Sequence, residues 1–291
     1  MKSIFSPLFL ISFPLMLFFG CASNKYENVS YLEKPVSEKT SDEPLPTLNI
    51  FSPKNLKKHS KKFDTKNQKL PVLIFVHGGN WNSGDKKTYS FFGRNFAKKG
   101  IVTVVVGYTL SPKANYDDMA KQIAAAVQWT KNNIEEYNGN PNKIFLTGHS
   151  AGGHLIALST MNPKYGVKDN TVSGLILNDA AGLDMYNYLQ ENPPTSNSNY
   201  DTTWTKDAKT WKNASPIYYI DKQTPPIMLY LGKKTYKSII VSNEHFLDSL
   251  EQFQPNVEAI LLNKKHVPMM VQYFFPWSKR YDEIIKFIKE N

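Results

Sequence analysis

Residues 143–161 read KIFLTGHSAGGHLIALSTM. The first five of these residues have an apolar centre, IFL at 144–146, typical of a buried strand, and residues 151–161 are rich in the Ala and Leu that favour a helix. Gly148 and Gly152 remove Cβ atoms where the strand would turn sharply into the helix. The stretch therefore predicts a strand–turn–helix unit that presents Ser150 at the carboxyl end of the strand.

The placement of Ser150 also suggests its chemistry. Its hydroxyl would lie near the positive N-terminus of the helix, where negative charge is stabilised. We interpret Ser150 as a nucleophile and the N–H of Ala151, the next residue, as a donor to an oxyanion.

The same strand–helix rhythm extends outward from this unit. Strands are predicted at residues 72–76, 101–106, 143–147, 172–178, 227–231 and 257–262. Helices are predicted at about 86–99, 119–137, 151–161, 242–253 and 281–289. This alternation predicts an α/β fold with a mostly parallel sheet and helices on both faces. Residues 180–215, rich in Asn, Pro, Thr and Trp, interrupt the rhythm and predict an insertion that covers or shapes a pocket.

A second glycine-containing loop, HGGNW at residues 77–81, directly follows the predicted strand 72–76. Two glycines after a strand can form a simple turn. Alternatively, the amides of Gly79 and Asn80 complete an oxyanion hole with Ala151, because glycines let backbone N–H groups face the charge unobstructed. We expect His77 to brace this loop.

A serine nucleophile needs a base, and the chain has six histidines. His266 follows the last predicted strand, so it should project from the sheet edge that presents Ser150. We predict that His266 is the base; the alternative is a surface histidine beside two lysines. His154 lies one helical turn after Ser150 and is expected to pack in the interior, and His245 falls within a predicted helix.

With these motifs the chain resembles the α/β-hydrolase superfamily, in the esterase group whose oxyanion loop reads HGGxW and whose elbow reads GHSAGGH. The resemblance covers roughly residues 47–291 and includes LNIFSP (48–53), YTLSP (108–112), NPNKI (140–144) and ASP (214–216). It implies a mostly parallel eight-stranded sheet with a cap-like insertion near 180–215. It also implies hydrolysis of a small-molecule carboxylic ester through an acyl-enzyme, without a metal or organic cofactor. Relatives include carboxylesterases, feruloyl and acetyl-xylan esterases, and kynurenine formamidases.

The acid of the implied triad departs from the family pattern. It usually stands three residues after a glycine that ends the penultimate strand, and Thr235 occupies that place here. Some members carry the acid at the end of the preceding strand, which makes Asp179 the predicted acid and Asp184 and Glu244 the alternatives. Asp179 could instead cap the following turn. Two other functions stay open: an amide-cleaving formamidase-type hydrolase, and a catalytically weak binding protein, which the uncharged Thr235 favours.

The N-terminal region predicts export. Residues 1–20 are predicted to be a signal peptide, because they have a basic start and a short apolar run that Pro7 and Pro14 interrupt. Cys21 follows this run, which resembles a bacterial lipoprotein signal and implies acylation of Cys21 and anchoring in the cell envelope; a plain signal peptide is the alternative. Residues 21–46 are predicted to be a disordered tether, and residues 47–291 the hydrolase domain.

Charge and cysteine content exclude several other kinds of protein and binding site. The net charge is +10, but the lysines are scattered, so we predict no nucleic-acid binding. A single cysteine excludes a disulfide scaffold, a cysteine-built zinc site and an iron–sulfur cluster. The expected partners are an ester substrate and a membrane through Cys21, and the oligomeric state is left open.

Overall fold

The computed structural model describes residues 23–33, 44–54, 56, 59, 63, 69–195 and 200–291. The predicted signal peptide and Cys21 lie outside the described residues. Within the described part of the chain, no helix combines the length and apolar character needed to cross a membrane.

Eight strands of the described residues form one sheet in the order β1-β2-β4-β3-β5-β6-β7-β8. They are β1 (Ser23–Ser30), β2 (Thr47–Pro53), β3 (Leu70–Val76), β4 (Val102–Val106), β5 (Gly139–His149), β6 (Gly174–Asn178), β7 (Ile227–Gly232) and β8 (Ala259–Leu262). Strands β3 to β8 pair in parallel, and β1 and β2 pair antiparallel with their neighbours. The predicted mostly parallel eight-stranded sheet is confirmed.

Helices cover both faces of this sheet. They are α1 (Ser90–Lys98), α2 (Tyr116–Asn133), α3 (Ala151–Met161), α4 (Met185–Glu191), α5 (Tyr200–Trp204), α6 (Ala208–Trp211), α7 (Lys237–Leu250), α8 (His266–Val271) and α9 (Lys279–Glu290). All seven residues of β3 are buried because successive side chains face opposite covered layers. Ile74 joins the core beneath α2, α3 and α7, whereas Phe75 joins the core beneath α1 and α9.

The predicted insertion at 180–215 contains the short helices α4, α5 and α6. It is held to the rest of the domain by Trp204, a fully buried side chain. The Trp204 ring packs edge-on against Trp81 at 4.6 Å and against His154 at 5.4 Å between ring centroids. The insertion therefore rests on the loop that follows β3 and on α3.

The prediction of a disordered tether is wrong for Ser23–Ser30, which form β1. β1 is an outer strand whose side chains are mostly exposed, so it has no apolar alternation that sequence analysis could detect. Backbone pairing with β2 orders it, together with polar contacts: the Asn28 N–H donates to Asn49 Oδ1 at 3.0 Å, and Lys86 Nζ donates to Asn28 Oδ1 at 2.9 Å. The folded domain therefore includes Ser23, not only residues from 47 onward.

Candidate active site

Ser150 lies at the sharp turn between β5 and α3, as predicted. Its backbone has a φ of 55° and a ψ of −122°, a strained combination for a residue with a side chain. The end of β6 holds this turn, because the Ser150 N–H donates to the Asn178 carbonyl at 3.2 Å and the Ala181 N–H donates to the Ser150 carbonyl at 3.1 Å. These two backbone hydrogen bonds keep Ser150 in the strained conformation.

The two glycines beside Ser150 are required by close backbone contacts. A Cβ atom on Gly152 would lie 2.1 Å from the Val76 carbonyl oxygen, and one on Gly148 would lie 2.4 Å from the Gly152 carbonyl. Backbone atoms cannot move away as a side-chain tip could. The elbow therefore packs against the end of β3 only because these positions lack side chains.

Asp179 is fully buried directly after β6 and accepts three hydrogen bonds. Its Oδ1 accepts from the Gly232 N–H at 2.8 Å. Its Oδ2 accepts from the Thr235 hydroxyl at 2.5 Å and from His266 Nδ1–H at 2.5 Å. The structure thus brings Asp179 and His266 together, and the Asp179 side chain does not cap the following turn.

Thr235 takes a part in this group that sequence analysis missed. Its Oγ1 lies 3.3 Å from His266 Nδ1 while it donates to Asp179 Oδ2. The hydroxyl therefore supports the carboxylate that contacts the imidazole. The uncharged residue at position 235 signalled a displaced acid, but its spatial relation to Asp179 required the folded chain.

The other two candidate acids lie elsewhere. Asp184 caps α4 by accepting from the Asn187 N–H at 3.2 Å, and its other oxygen lies 2.8 Å from His245 Nδ1. Glu244 is exposed on α7. Within the described residues, the carboxylate that contacts His266 is that of Asp179.

His266 is the first residue of α8, and the ring of His149 stacks against it at 4.6 Å between centroids. His149 Nε2 lies 3.2 Å from the His266 carbonyl oxygen and donates a hydrogen bond to it. Burial and the neighbouring His266 lower the pKa of His149 to about 4, so this imidazole is neutral at pH 7. His149 therefore acts as an uncharged wall that orients His266, a role the sequence did not reveal.

One group of potential metal ligands occurs among the described residues: His149, Asp179 and His266, whose ligand atoms lie within 4.8 Å of one another. Asp179 Oδ1 already accepts from the Gly232 N–H, and Asp179 Oδ2 accepts from His266 Nδ1–H. His149 Nε2 faces a carbonyl oxygen. A cation that used these atoms would therefore have to displace hydrogen bonds that the site already makes.

The loop after β3 has an unusual backbone at the positions predicted to form the oxyanion hole. Gly79, Asn80 and Trp81 have φ values of 127°, 52° and 59°. The Gly79 carbonyl closes the turn by accepting from the Ser83 N–H at 2.9 Å. Gly79 and Asn80 line the same cavity as Ser150, and Ala151 begins α3, so its N–H has no partner within the helix.

Two buried histidines support this loop. His77 Nδ1–H donates to the Gly78 carbonyl at 2.8 Å, and its ring stacks on Tyr108 at 4.6 Å, in agreement with a bracing role. His154 Nδ1 accepts from Trp81 Nε1–H at 3.2 Å, and its Nε2–H donates to the Ala214 carbonyl at 2.7 Å. His154 therefore ties the loop after β3 to the end of the 180–215 insertion.

Ser150 and His266 line one cavity of about 630 Å³. The 180–215 insertion contributes part of its wall, including Met185, Tyr188 and Tyr200. A volume of this size accommodates a drug-sized organic ligand. The arrangement can bring a substrate carbonyl to a serine hydroxyl, with an imidazole and backbone donors close by.

The sequence matches one family model and several curated esterases. The BD-FAE family model matches residues 61–245. The chain is 29% identical over 224 residues to the probable carboxylic ester hydrolase LipM of Mycobacterium tuberculosis, covering 67% of this chain and 49% of that protein. It is 25% identical over 256 residues to the isoprenylcysteine alpha-carbonyl methylesterase ICME of Arabidopsis thaliana, covering 79% and 56%. The chain thus spans about half the length of the curated relatives it matches.

Solved structures share the fold. A phosphonate-inhibited esterase B from Lactobacillus rhamnosis matches with a TM-score of 0.71 and 19% identity, covering 92% of this chain and 86% of that one. A truncated carbohydrate esterase from gut microbiota matches with a TM-score of 0.69 and 20% identity, covering 93% and 98%. At these levels of identity the likeness shows that the chain shares the fold of these two esterases.

We expect the free energy of unfolding to fall as the pH drops from 6.5 towards 4, in part because of His154. Burial lowers the pKa of His154 to about 4, whereas a histidine in the unfolded chain titrates near its ordinary value of 6.5. Between these values the unfolded state binds a proton that the folded state excludes, so stability is lost on acidification. Gln can keep both hydrogen bonds of His154 without titrating. The His154→Gln variant should therefore lose less free energy of unfolding than wild type between pH 7 and pH 5.

Chemical denaturation of both proteins at the two pH values measures this difference. His149 contributes the same acid destabilisation in both proteins, so some pH dependence remains in the variant. An equal loss of stability in wild type and His154→Gln would contradict the expectation.

Proposed function

The chain belongs to the BD-FAE family of α/β-hydrolases, and from its site we propose that it is a serine hydrolase that cleaves carboxylic esters. One observation carries the proposal: Ser150, at a strained strand–helix turn, shares a cavity with His266, whose Nδ1 contacts the buried Asp179 at 2.5 Å. The esterases among the relatives support the same reaction class.

In the proposed reaction, Ser150 Oγ attacks the ester carbonyl carbon while His266 Nε2 takes the hydroxyl proton. The hydrogen bond from Nδ1–H to Asp179 selects the tautomer that leaves Nε2 free to accept this proton. The carbonyl oxygen becomes an oxyanion that accepts from the N–H groups of Gly79, Asn80 and Ala151.

The tetrahedral intermediate then collapses and the bond to the alcohol oxygen breaks. The His266 imidazolium returns its proton to the departing alcohol, which leaves an acyl group on Ser150. A water molecule attacks this acyl group, with His266 again taking a proton. The carboxylic acid is released and the Ser150 hydroxyl is restored.

Asp179 has a second role in this scheme, because an imidazolium forms in each transition state. Its carboxylate supplies negative charge 2.5 Å from Nδ1, and the donors Gly232 and Thr235 fix both of its oxygens. The uncharged Thr235 therefore does not favour a binding protein over an enzyme, because the negative charge comes from Asp179.

We further propose that the chain is exported and anchored through acyl groups on Cys21, on the basis of its lipoprotein-like sequence. Ser23, two residues later, begins β1 and pairs with Pro53, at the end of the sheet opposite the carboxyl ends of β3 to β8. Two residues reach only about 7 Å. An anchored chain would therefore present the Ser150 cavity away from the bilayer.

The first test of the enzymatic proposal is covalent labelling. A fluorophosphonate should react with Ser150, because the elbow exposes its hydroxyl to His266 and the oxyanion donors, and mass mapping locates the adduct. Ser150→Ala should abolish both labelling and turnover of p-nitrophenyl acetate. An adduct at another residue, or none on folded protein, would contradict the proposal.

The second test concerns the acid. Asp179→Asn should preserve the fold yet lower kcat by about 10⁴-fold, because the amide selects the wrong imidazole tautomer and removes the charge beside it. Thr235→Val, which removes only the hydroxyl donated to Asp179, should lower kcat by about tenfold, the effect of one lost hydrogen bond. Steady-state kinetics with p-nitrophenyl acetate measures both effects.

Glu244→Gln is the matched control, because this exposed carboxylate does not contact His266, and it should keep kcat within a few-fold of wild type. Asp184→Asn tests the other candidate acid, whose carboxylate lines the cavity but contacts His245 rather than His266. If Glu244→Gln or Asp184→Asn abolishes activity while Asp179→Asn retains it, the acid has been assigned to the wrong residue. If all three variants are active, the site works as a Ser150–His266 dyad.

The third test addresses the anchor. If Cys21 is acylated, wild-type protein should partition with membranes, and Cys21→Ser should release it or leave an uncleaved precursor. Fractionation and mass spectrometry of the N-terminus distinguish these states. Recovery of wild-type protein wholly in the aqueous fraction with an unmodified N-terminus would support a plain signal peptide instead.

A further inference from the structure

An apolar stripe lies on the outer side of α8 and the turn that follows it. Val267, Val271 and Phe274 are 62%, 41% and 51% exposed, although all three side chains are apolar. Their spacing of four and three residues places them along one side of the segment. The residues between them include Met269 and Tyr273, which are buried in the core, so the stripe is a second, outward-facing apolar surface.

The stripe is continuous with the cavity that contains Ser150. Val267, Val271 and Phe274 all line this cavity, and Val267 directly follows His266. The Phe274 ring stacks on Phe91, another lining residue, with 3.7 Å between centroids and 17° between planes. The stacking holds Phe274 in the wall of the cavity. The apolar surface therefore extends outward from the neighbourhood of His266.

Other walls of the cavity carry polar groups. Asn80 and Asp184 line it from the oxyanion loop and the insertion, and Ser238 and Ser242 line it from α7. These walls are mixed, since Met185 and Ile239 line the cavity beside the polar groups, whereas Val267, Val271 and Phe274 are all apolar. The cavity volume of about 630 Å³ also far exceeds what an acetyl group fills.

We propose that Val267, Val271 and Phe274 form a groove, the α8 groove, that binds an extended apolar group of the ester substrate. The inference rests on the proposed esterase function. It assigns the occupant to the substrate because the groove opens into the cavity of the nucleophile. Each methylene removed from water should raise kcat/KM roughly fourfold, equivalent to about 0.8 kcal/mol.

The chain supplies a matched control for this groove. Phe275 is 48% exposed, close to the 51% of its neighbour Phe274, but it does not line the cavity. Its ring packs against Trp277 at 5.4 Å between centroids, away from the stripe. Substitution of Phe275 removes an equally exposed aromatic ring without changing the groove.

The experiment measures kcat/KM of the full chain for p-nitrophenyl octanoate and p-nitrophenyl acetate, below the aggregation concentration of the octanoate. Wild type should favour the octanoate by at least about tenfold, and Phe274→Ala should reduce this ratio by about tenfold. Phe275→Ala should leave the ratio within twofold of wild type. Because both esters share one leaving group and one set of catalytic residues, the ratio reports the groove.

Phe274→Ala also removes the stacking on Phe91, which could disturb α8. A second variant separates this effect from loss of the groove. Val271→Ser, at a helix position 41% exposed, should also lower the octanoate-to-acetate ratio. The same variants are also assayed with octyl acetate and ethyl acetate, whose ratio reports binding of a long alcohol part in the groove, just as the octanoate-to-acetate ratio reports binding of a long acyl part.

The inference is overturned if both Phe274→Ala and Val271→Ser keep the wild-type ratio for the acyl pair and for the alcohol pair of esters, or if Phe275→Ala lowers the affected ratio equally. Failure of the groove is distinguishable from failure of the proposed function. If Ser150 is labelled and acetate is hydrolysed while both ratios are unchanged, only the groove is wrong. If Ser150 is unlabelled and neither ester is hydrolysed, the esterase function is wrong, and the groove inference fails with it.

Discussion

The buried carboxylate of Asp179 is the interaction on which the rest of the site depends. A carboxylate enclosed by protein is costly unless donors surround it, and here the donors come from Gly232, Thr235 and His266. Gly232 is the last residue of β7, Thr235 lies in the turn after β7, and His266 follows β8. The hydrogen bonds therefore join the turn after β6, the end of β7 and the start of α8. The need to satisfy one buried charge thus determines the position of the imidazole relative to the elbow.

The sequence predicted the parts of the site that depend on local pattern. Ser150 and the flanking glycines stand between an apolar run and a helix-forming run, and His266 follows the last strand. Because the carboxyl ends of parallel strands meet at one edge of the sheet, Asp179 could be paired with His266 although 87 residues separate them. The hydroxyl bond of Thr235 and the stacking of His149 could not be predicted, since both depend on side-chain positions. The exposed strand β1 was missed because its order comes from backbone pairing.

Burial divides the histidines of this site into two functional classes. It lowers the pKa of His77, His149 and His154, so these imidazoles remain neutral and act through fixed hydrogen bonds to backbone carbonyls. His266 instead contacts a carboxylate and reaches the cavity. Neutral histidines around a base avoid the repulsion that an additional positive charge would exert on the imidazolium. His149 can therefore position His266, and His77 and His154 can hold the loop after β3, without weakening the capacity of His266 to take a proton.

The direction of the strands determines where the proposed anchor at Cys21 lies relative to the Ser150 cavity. β1 enters the sheet at the end opposite Ser150, so an acyl anchor at Cys21 and the mouth of the cavity would be separated by the length of the sheet. An ester embedded in the anchoring bilayer would then be on the wrong side of the domain. The α8 groove favours an extended apolar group, yet the cavity also presents the polar side chains of Asn80 and Asp184. If the chain is anchored through Cys21 as proposed, these constraints together favour amphiphilic esters that approach through water over lipids of the anchoring membrane.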